Sequence, residues 1–329
     1  MGKKIPTETN TGLTCESSAS LLTTSVKLTE QVWPENIVPM VSIFCLTYNH
    51  EKFICEAIEG VLMQETTFPV EILIHDDAST DQTKEMLLYY TNKYPKIIKI
   101  VIQTENQWSK SGSKVSWEYL LKLKGKYIAF CEGDDFWTDP LKLQKQITYL
   151  RDNPQSILCH HVVSYLNNEE GINISEEPST KYRIDKIDPR NFIEGNFINN
   201  CSVLIKKEAL HNYNKCNLNL KMGDYPIWVY SAQHGDIGYI NENMATYRIH
   251  QGGYWSSLND EVRCKAHKEM VEKIIWVLDA GNRAPWLNKY IHNLECEAGN
   301  ANTFYSLCKI RIKQFLLKVY SGHLNKYVK

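Results

Sequence analysis

The stretch from Tyr127 to Gln146 reads Y-I-A-F-C-E-G-D-D-F-W-T-D-P-L-K-L-Q-K-Q. An apolar run stops at three carboxylates, Glu132, Asp134 and Asp135, and Pro140 then opens an amphipathic run. A short apolar run bounded by Gly has the pattern of a buried parallel strand, and Thr138 or Asp139 ahead of Pro140 is a sound helix start. The spacing therefore predicts strand, acidic loop, helix, with the loop at the carboxyl end of a central strand, where open α/β sheets bind ligands. Clustered carboxylates repel one another unless they are solvated or neutralised by a cation. Hard oxygen ligands of this kind suit Mg2+ or Mn2+ carrying a phosphorylated substrate.

The same unit recurs upstream. Val41 to Leu46 is a β-rich run ending in Thr47-Tyr48-Asn49-His50, after which Phe53, Ile54, Ala57, Ile58, Val61 and Leu62 recur at helical spacing, with Asn49 as a candidate N-cap. Val70 to His75 is a second strand, followed by the loop Asp76 to Asp81 and a helix reaching about Tyr94. Ser79 and Gln82 fit a capping box there, which leaves Asp76 and Asp77 unexplained. Ile97 to Ile102 is a third strand, Gln103 to Ser113 a polar connection, and Val115 to Leu123 a helix. Strands alternating with helices imply a mostly parallel sheet with flanking helices, and its strand-end loops can converge on one crevice.

Composition excludes several classes. A net charge of −1 argues against a general nucleic-acid binder. No stretch approaches the roughly 18 apolar residues of a membrane span, and the N-terminus lacks the apolar core of a signal peptide. Pro6 stands where a myristoylation signal wants Ser or Thr. Ten cysteines without a C-x-x-C pair read as reduced, mostly buried thiols of a cytoplasmic protein. Cys159-His160-His161 can be a soft-metal site or strand-end packing, and adjacent strand residues point to opposite faces. Neither G-x-G-x-x-G nor G-x-x-x-x-G-K-[ST] is present, which argues against dinucleotide dehydrogenases and P-loop ATPases. Residues 1–38 form a flexible leader or docked arm, 39–255 the main domain, and 256–329 a helical C-terminal extension. From Phe304 onward the chain has six Lys or Arg and no acid, so 304–329 is either a basic amphipathic helix for peripheral membrane contact or a helix packed on the domain.

V-S-I-F-C-L-T-Y-N-H, E-I-L-I-H-D-D-A-S-T-D and Y-I-A-F-C-E-G-D-D-F-W, in this order, resemble the inverting glycosyltransferases of family 2 over roughly residues 39 to 250. The resemblance implies a GT-A, Rossmann-like fold and transfer of a sugar from a nucleoside-diphosphate-sugar, a UDP-sugar first, to a saccharide or lipid-linked acceptor. It suggests a bacterial surface-polysaccharide setting in the cytoplasm or on the membrane's cytoplasmic face. By this likeness Tyr48, Asp76 and Asp77 recognise base and ribose, and Asp134 ligates Mn2+ or Mg2+ on the diphosphate. Glu132 contacts the ribose or metal from a position where the family usually has Asp. Arg248 and His250 end a late motif, with Arg248 near the diphosphate and His250 a further metal ligand or a donor to the leaving phosphate. Asp224, just before Pro226, matches the family's catalytic base, although it can also simply cap a helix. Glu208, Asp236 and Glu242 are rival bases. A different class, a nucleotide-sugar- or carbohydrate-binding protein that keeps the fold without turnover, is kept open by Glu132.

Overall fold

The computed structural model describes residues 22–167, 187–194, 196–215 and 224–253, the backbone of 172–174, and scattered positions between 259 and 290. Its strands are β1 (Val26–Lys27), β2 (Val41–Thr47), β3 (Glu65–Thr66), β4 (Val70–Asp76), β5 (Ile98–Ile102), β6 (Tyr127–Phe130), β7 (Phe136–Trp137), β8 (Ser156–Asn167), β9 (Ile172–Ile174), β10 (Leu204–Lys206) and β11 (Asp236–Ile249). Its helices are α1 (Ile54–Leu62), α2 (Thr83–Lys93), α3 (Gln107–Ser111), α4 (Lys114–Lys122), α5 (Lys142–Asp152), α6 (Lys207–Asn214) and α7 (Asp224–Ser231).

One sheet runs β5-β4-β2-β6-β10-β8-β11-β7, with β9 paired to β8. Strands β5, β4, β2 and β6 are mutually parallel, and β8 and β11 share their direction. β10, β7 and β9 run the other way, so the sheet is mostly parallel. All seven residues of β2 except Leu46 are buried, as a central strand covered on both faces requires. The carboxyl ends of β2, β4, β6, β8 and β11 therefore open on one edge.

Two apolar cores cover the two faces. One packs α1, α2 and α5 through Ile54, Ile58, Leu87 and Leu143, and the other centres on Trp228, Tyr230, Ile205 and Phe130. Described positions of the C-terminal extension, among them Val271, Ile274 and Trp286, belong to the second core. Gly60 lets α1 lie directly on β7, since a Cβ there would sit 2.7 Å from the Trp137 carbonyl oxygen.

Several local expectations change. Phe136–Trp137 is a short strand against β11, which a two-residue run cannot announce by periodicity. The connection Gln103 to Ser113 contains α3. The β-rich run Asn199 to Ile205, whose composition alone predicts one strand reaching the crevice, is broken: a 3-10 turn spans Asn200–Ser202, and only then does β10 begin, running away from the crevice edge. Contacts from distant side chains hold that turn, because Trp137 Nε1 donates to the Cys201 carbonyl (3.0 Å) and Gln146 Nε2 to that of Ser202 (2.8 Å). Of the leader, the described part is docked: β1 pairs with β3, and Leu28 is buried. The basic stretch 304–329 lies outside the described residues.

Candidate active site

The loops after β2 and β4 are welded together. Asn49 adopts φ 55° and does not cap α1; its N–H donates to Ser79 Oγ (2.8 Å), and its Oδ1 accepts from the Thr80 N–H (2.8 Å). Glu51 N–H donates to Asp81 (3.0 Å), Glu51 accepts from the Gln82 N–H (2.9 Å), and the Asp77 N–H donates to the Thr47 carbonyl (3.0 Å). The Ser79–Gln82 capping box does not form either, because Ser79 donates its hydroxyl to Asp76 (2.5 Å). Asn is among the few residues that tolerate positive φ, which is why one can stand at this bend.

These contacts redistribute the two aspartates. Asp76 is fully buried with both carboxylate oxygens on Ser79, so it braces the loop and does not face the crevice as expected of a donor contact. Asp77 accepts from the N–H groups of Gln107 (2.7 Å) and Trp108 (2.9 Å), opening α3 beside the crevice. Tyr48 is 43% exposed at the rim, with its ring open to a stacking partner.

The acidic loop splits into three environments. Asp135 turns inward, where its Oδ1 accepts the Arg248 N–H (2.9 Å); burial, with Asp134 and Glu132 nearby, pushes its carboxyl well up. Glu132 accepts from Asn200 Nδ2, and its other oxygen is buried without a hydrogen-bond partner among the described residues. Burial outweighs that hydrogen bond and lifts Glu132 to about 7, helped by the charges of Asp134 and Asp224. Asp134 meets two imidazoles, His250 Nε2 at 3.1 Å and His50 Nε2 at 3.7 Å from its Oδ2. Burial alone would raise Asp134, but the His250 hydrogen bond and the charge that both histidines can carry hold it below the usual range.

Gly133 is what lets this loop close. It donates its N–H to the Leu46 carbonyl (2.8 Å), and a Cβ there would sit 2.7 Å from Thr47 Oγ1 and 2.9 Å from His50 Nδ1. Gly133→Ala is expected to push His50 away from Asp134, weaken donor binding about tenfold or more and cost about 1–3 kcal/mol of stability. Titration calorimetry with nucleotide checks it.

Arg248 lies behind this group. Its guanidinium is buried between the rings of Phe53 (4.7 Å) and Phe136 (4.8 Å) and pairs with Glu56 (2.5 Å), while Phe53 also packs on His250 at 4.7 Å. The direct contact with a diphosphate expected of Arg248 is therefore not offered; the residue supports His250 from behind.

Asp224 opens α7, and its Oδ2 accepts from Asn196 Nδ2 (2.9 Å). Burial raises its carboxyl, partly opposed by backbone N–H groups and Asn196. Its charge in turn raises Glu132, so the two carboxyl groups are near enough to interact. The rivals stand elsewhere. Glu208 begins α6 beyond β10, and Asp236 begins β11, both at the opposite sheet edge; Glu242 pairs with Lys145 (2.5 Å). His160 and His161 are buried side by side in β8, with burial lowering the first to about 3 and the second well below its ordinary value; neither joins a group of metal-ligating side chains among the described residues.

The loops at the carboxyl edge of this mostly parallel sheet thus carry an exposed aromatic, Tyr48, an acid–imidazole cluster around Asp134 and, interacting with Glu132, the raised carboxyl of Asp224. The chain belongs to glycosyl transferase family 2, whose sequence profile matches residues 42–213. An uncharacterized protein of Mycobacterium tuberculosis is 37% identical over 221 residues, covering 66% of this chain and 61% of that protein. The Bacillus subtilis protein TuaG, named as a teichuronic acid biosynthesis glycosyltransferase, is 27% identical over 216 residues, covering 65% of this chain and 81% of its own length. The matched segment thus spans about three-fifths of the mycobacterial relative. Similar folds include Staphylococcus aureus TarS 1–349 in complex with UDP-GlcNAc (TM-score 0.61, 18% identity, 84% of this chain and 80% of that one). The mannosyltransferase PcManGT of Pyrobaculum calidifontis, in complex with GDP-Man and Mn2+, is another (TM-score 0.54, 14% identity, 91% and 92%).

Proposed function

We propose that the chain is an inverting, metal-dependent glycosyltransferase that moves a sugar from a nucleoside-diphosphate-sugar to a saccharide or lipid-linked acceptor. The observation that carries this reading is the Asp134 carboxylate, in the loop after β6, with His250 Nε2 at 3.1 Å. A carboxylate oxygen and an imidazole nitrogen at that spacing fit two neighbouring ligands of one divalent ion. Such an ion, when bound, would neutralise the leaving diphosphate.

Tyr48 stacks on the base, and Asp77, at the mouth of the welded loops, meets base or ribose. Glu132, held by Asn200, faces the donor between Asp134 and Asp224. Asp224 takes the proton of the acceptor hydroxyl as that oxygen attacks the anomeric carbon, and a single displacement inverts the centre. The fold likeness to TarS and PcManGT, which bind UDP-GlcNAc and GDP-Man, makes UDP- and GDP-sugars the first donors to try, and TuaG points to surface-polysaccharide acceptors. Among the described residues no helix is long and apolar enough to cross a membrane.

The alternative, a binding protein without turnover, draws on Glu132, which stands where the family usually has Asp. A thermal-shift panel of nucleotide-sugars with and without Mn2+ tests the donor: a native-state ligand raises the melting temperature. A rise with one donor that needs Mn2+ supports the reading, and no rise with any nucleotide-sugar would overturn it. Turnover of that donor then separates enzyme from binder.

A further inference from the structure

We infer that His50, from the loop after β2, ligates the same ion as Asp134 and His250, so that the chain holds its metal through one carboxylate and two imidazoles before any donor arrives. This rests on the metal-dependent reading above and goes beyond it in the ligand set and in the metal selected. Among the described residues, His50, Asp134 and His250 form a group whose ligating atoms all lie within 4.8 Å of one another. Neighbouring ligands at about 2.1 Å from an octahedral ion are about 3.0 Å apart, and opposite ones about 4.2 Å. His250 and His50 stand 3.1 and 3.7 Å from Asp134 Oδ2, so shifts under about an ångström close the set.

The rest of His50 is built for the role. Its N–H donates to Thr83 Oγ1 (2.9 Å), and its carbonyl accepts from Phe53 (2.9 Å) and Ile54 (2.8 Å), which fixes the backbone from both sides. The two imidazole rings approach edge to face, with centroids 6.1 Å apart and planes at 82°, so the nitrogens reach Asp134 from different directions. A metal-bound imidazole carries its proton on the far nitrogen, turned to an acceptor. His50 Nδ1 and Thr47 Oγ1 are both buried without a partner among the described residues, and both flank Gly133.

The donor set also selects the ion. Mg2+ prefers oxygen ligands and keeps its waters, whereas first-row transition ions accept imidazole beside a carboxylate, Mn2+ least tightly and the later ions more so. An ion pair in which two histidines merely neutralise Asp134 makes the opposite forecast, since protonated imidazoles repel a cation.

The experiment uses the full chain, stripped with chelator and free of nucleotide, titrated with MnCl2 or MgCl2 alone. One Mn2+ is expected to bind, with Mg2+ at least about tenfold weaker. His50→Ala should weaken Mn2+ binding about tenfold or more, and pulsed EPR of bound Mn2+ should show two imidazole nitrogen couplings in the parent and one in the variant. The parent spectrum gives the answer even if His50→Ala does not fold. A single coupling in the parent, or Mn2+ affinity unchanged in His50→Ala but lost in Asp134→Ala, overturns the His50 assignment and leaves the metal reading standing. Mn2+ binding that Asp134→Ala does not alter overturns both, and Mg2+ binding as tight as Mn2+ overturns the selectivity.

Discussion

Asp224→Asn is expected to lower kcat by about 10²–10⁴ while donor and metal affinity stay near those of the parent, because loss of a general base removes stabilisation that exists only in the transition state. Asn keeps the shape of the side chain and caps a helix as well as Asp, so α7 and its contact with Asn196 survive the change. A helix-cap role alone would leave the variant active. On the proposed reading Asp224 also sets the pH profile. Burial raises the Asp224 carboxyl, and a base acts only when deprotonated, so kcat should fall on the acid side starting above the usual carboxylate value of about 3.9. Steady-state kinetics at several pH values, with donor affinity by calorimetry, check both parts. A variant retaining most of its transfer rate would move the base away from Asp224.

Asp134→Ala should abolish the part of donor binding that depends on Mn2+, a loss of about two orders of magnitude in affinity, while the chain stays folded. Its carboxylate lies on the crevice loop and is engaged there with His50 and His250. Asp135→Ala should behave differently. That carboxylate is buried on the Arg248 N–H, so its loss leaves an unpaired donor and costs about 1–3 kcal/mol of stability, read by chemical denaturation. Donor affinity with Mn2+ that is unchanged in Asp134→Ala would remove Asp134 from the metal.

Much of this was legible in the chain because it is local. Buried strands announce themselves by unbroken apolar runs, and each acidic or polar loop at a strand end had to fall on the same edge once the sheet was parallel. What stayed hidden depends on partners far apart in sequence. Asn49 and Ser79 look like caps in isolation, yet they bond to each other's loops thirty residues away. Arg248 reads as a free cation at a strand end until Phe53, Phe136 and Glu56 close around it. His50 gave one signal, its place in the loop directly after β2, but nothing local told that its ring would reach Asp134. The turn at Asn200 hides within a β-rich run because Trp137 and Gln146, not its own sequence, hold it.

The most direct measurement is 1H NMR of the full chain turning over the nucleotide-sugar that raises its melting temperature most, with Mn2+ and a saccharide acceptor or water. The expected result is release of the nucleoside diphosphate together with a first-formed sugar product of inverted anomeric configuration, stopped by chelator and restored by Mn2+. A first product that retains the donor's configuration, or a bound donor that stays intact with metal and acceptors present, would contradict an inverting transferase built on Asp134 and Asp224.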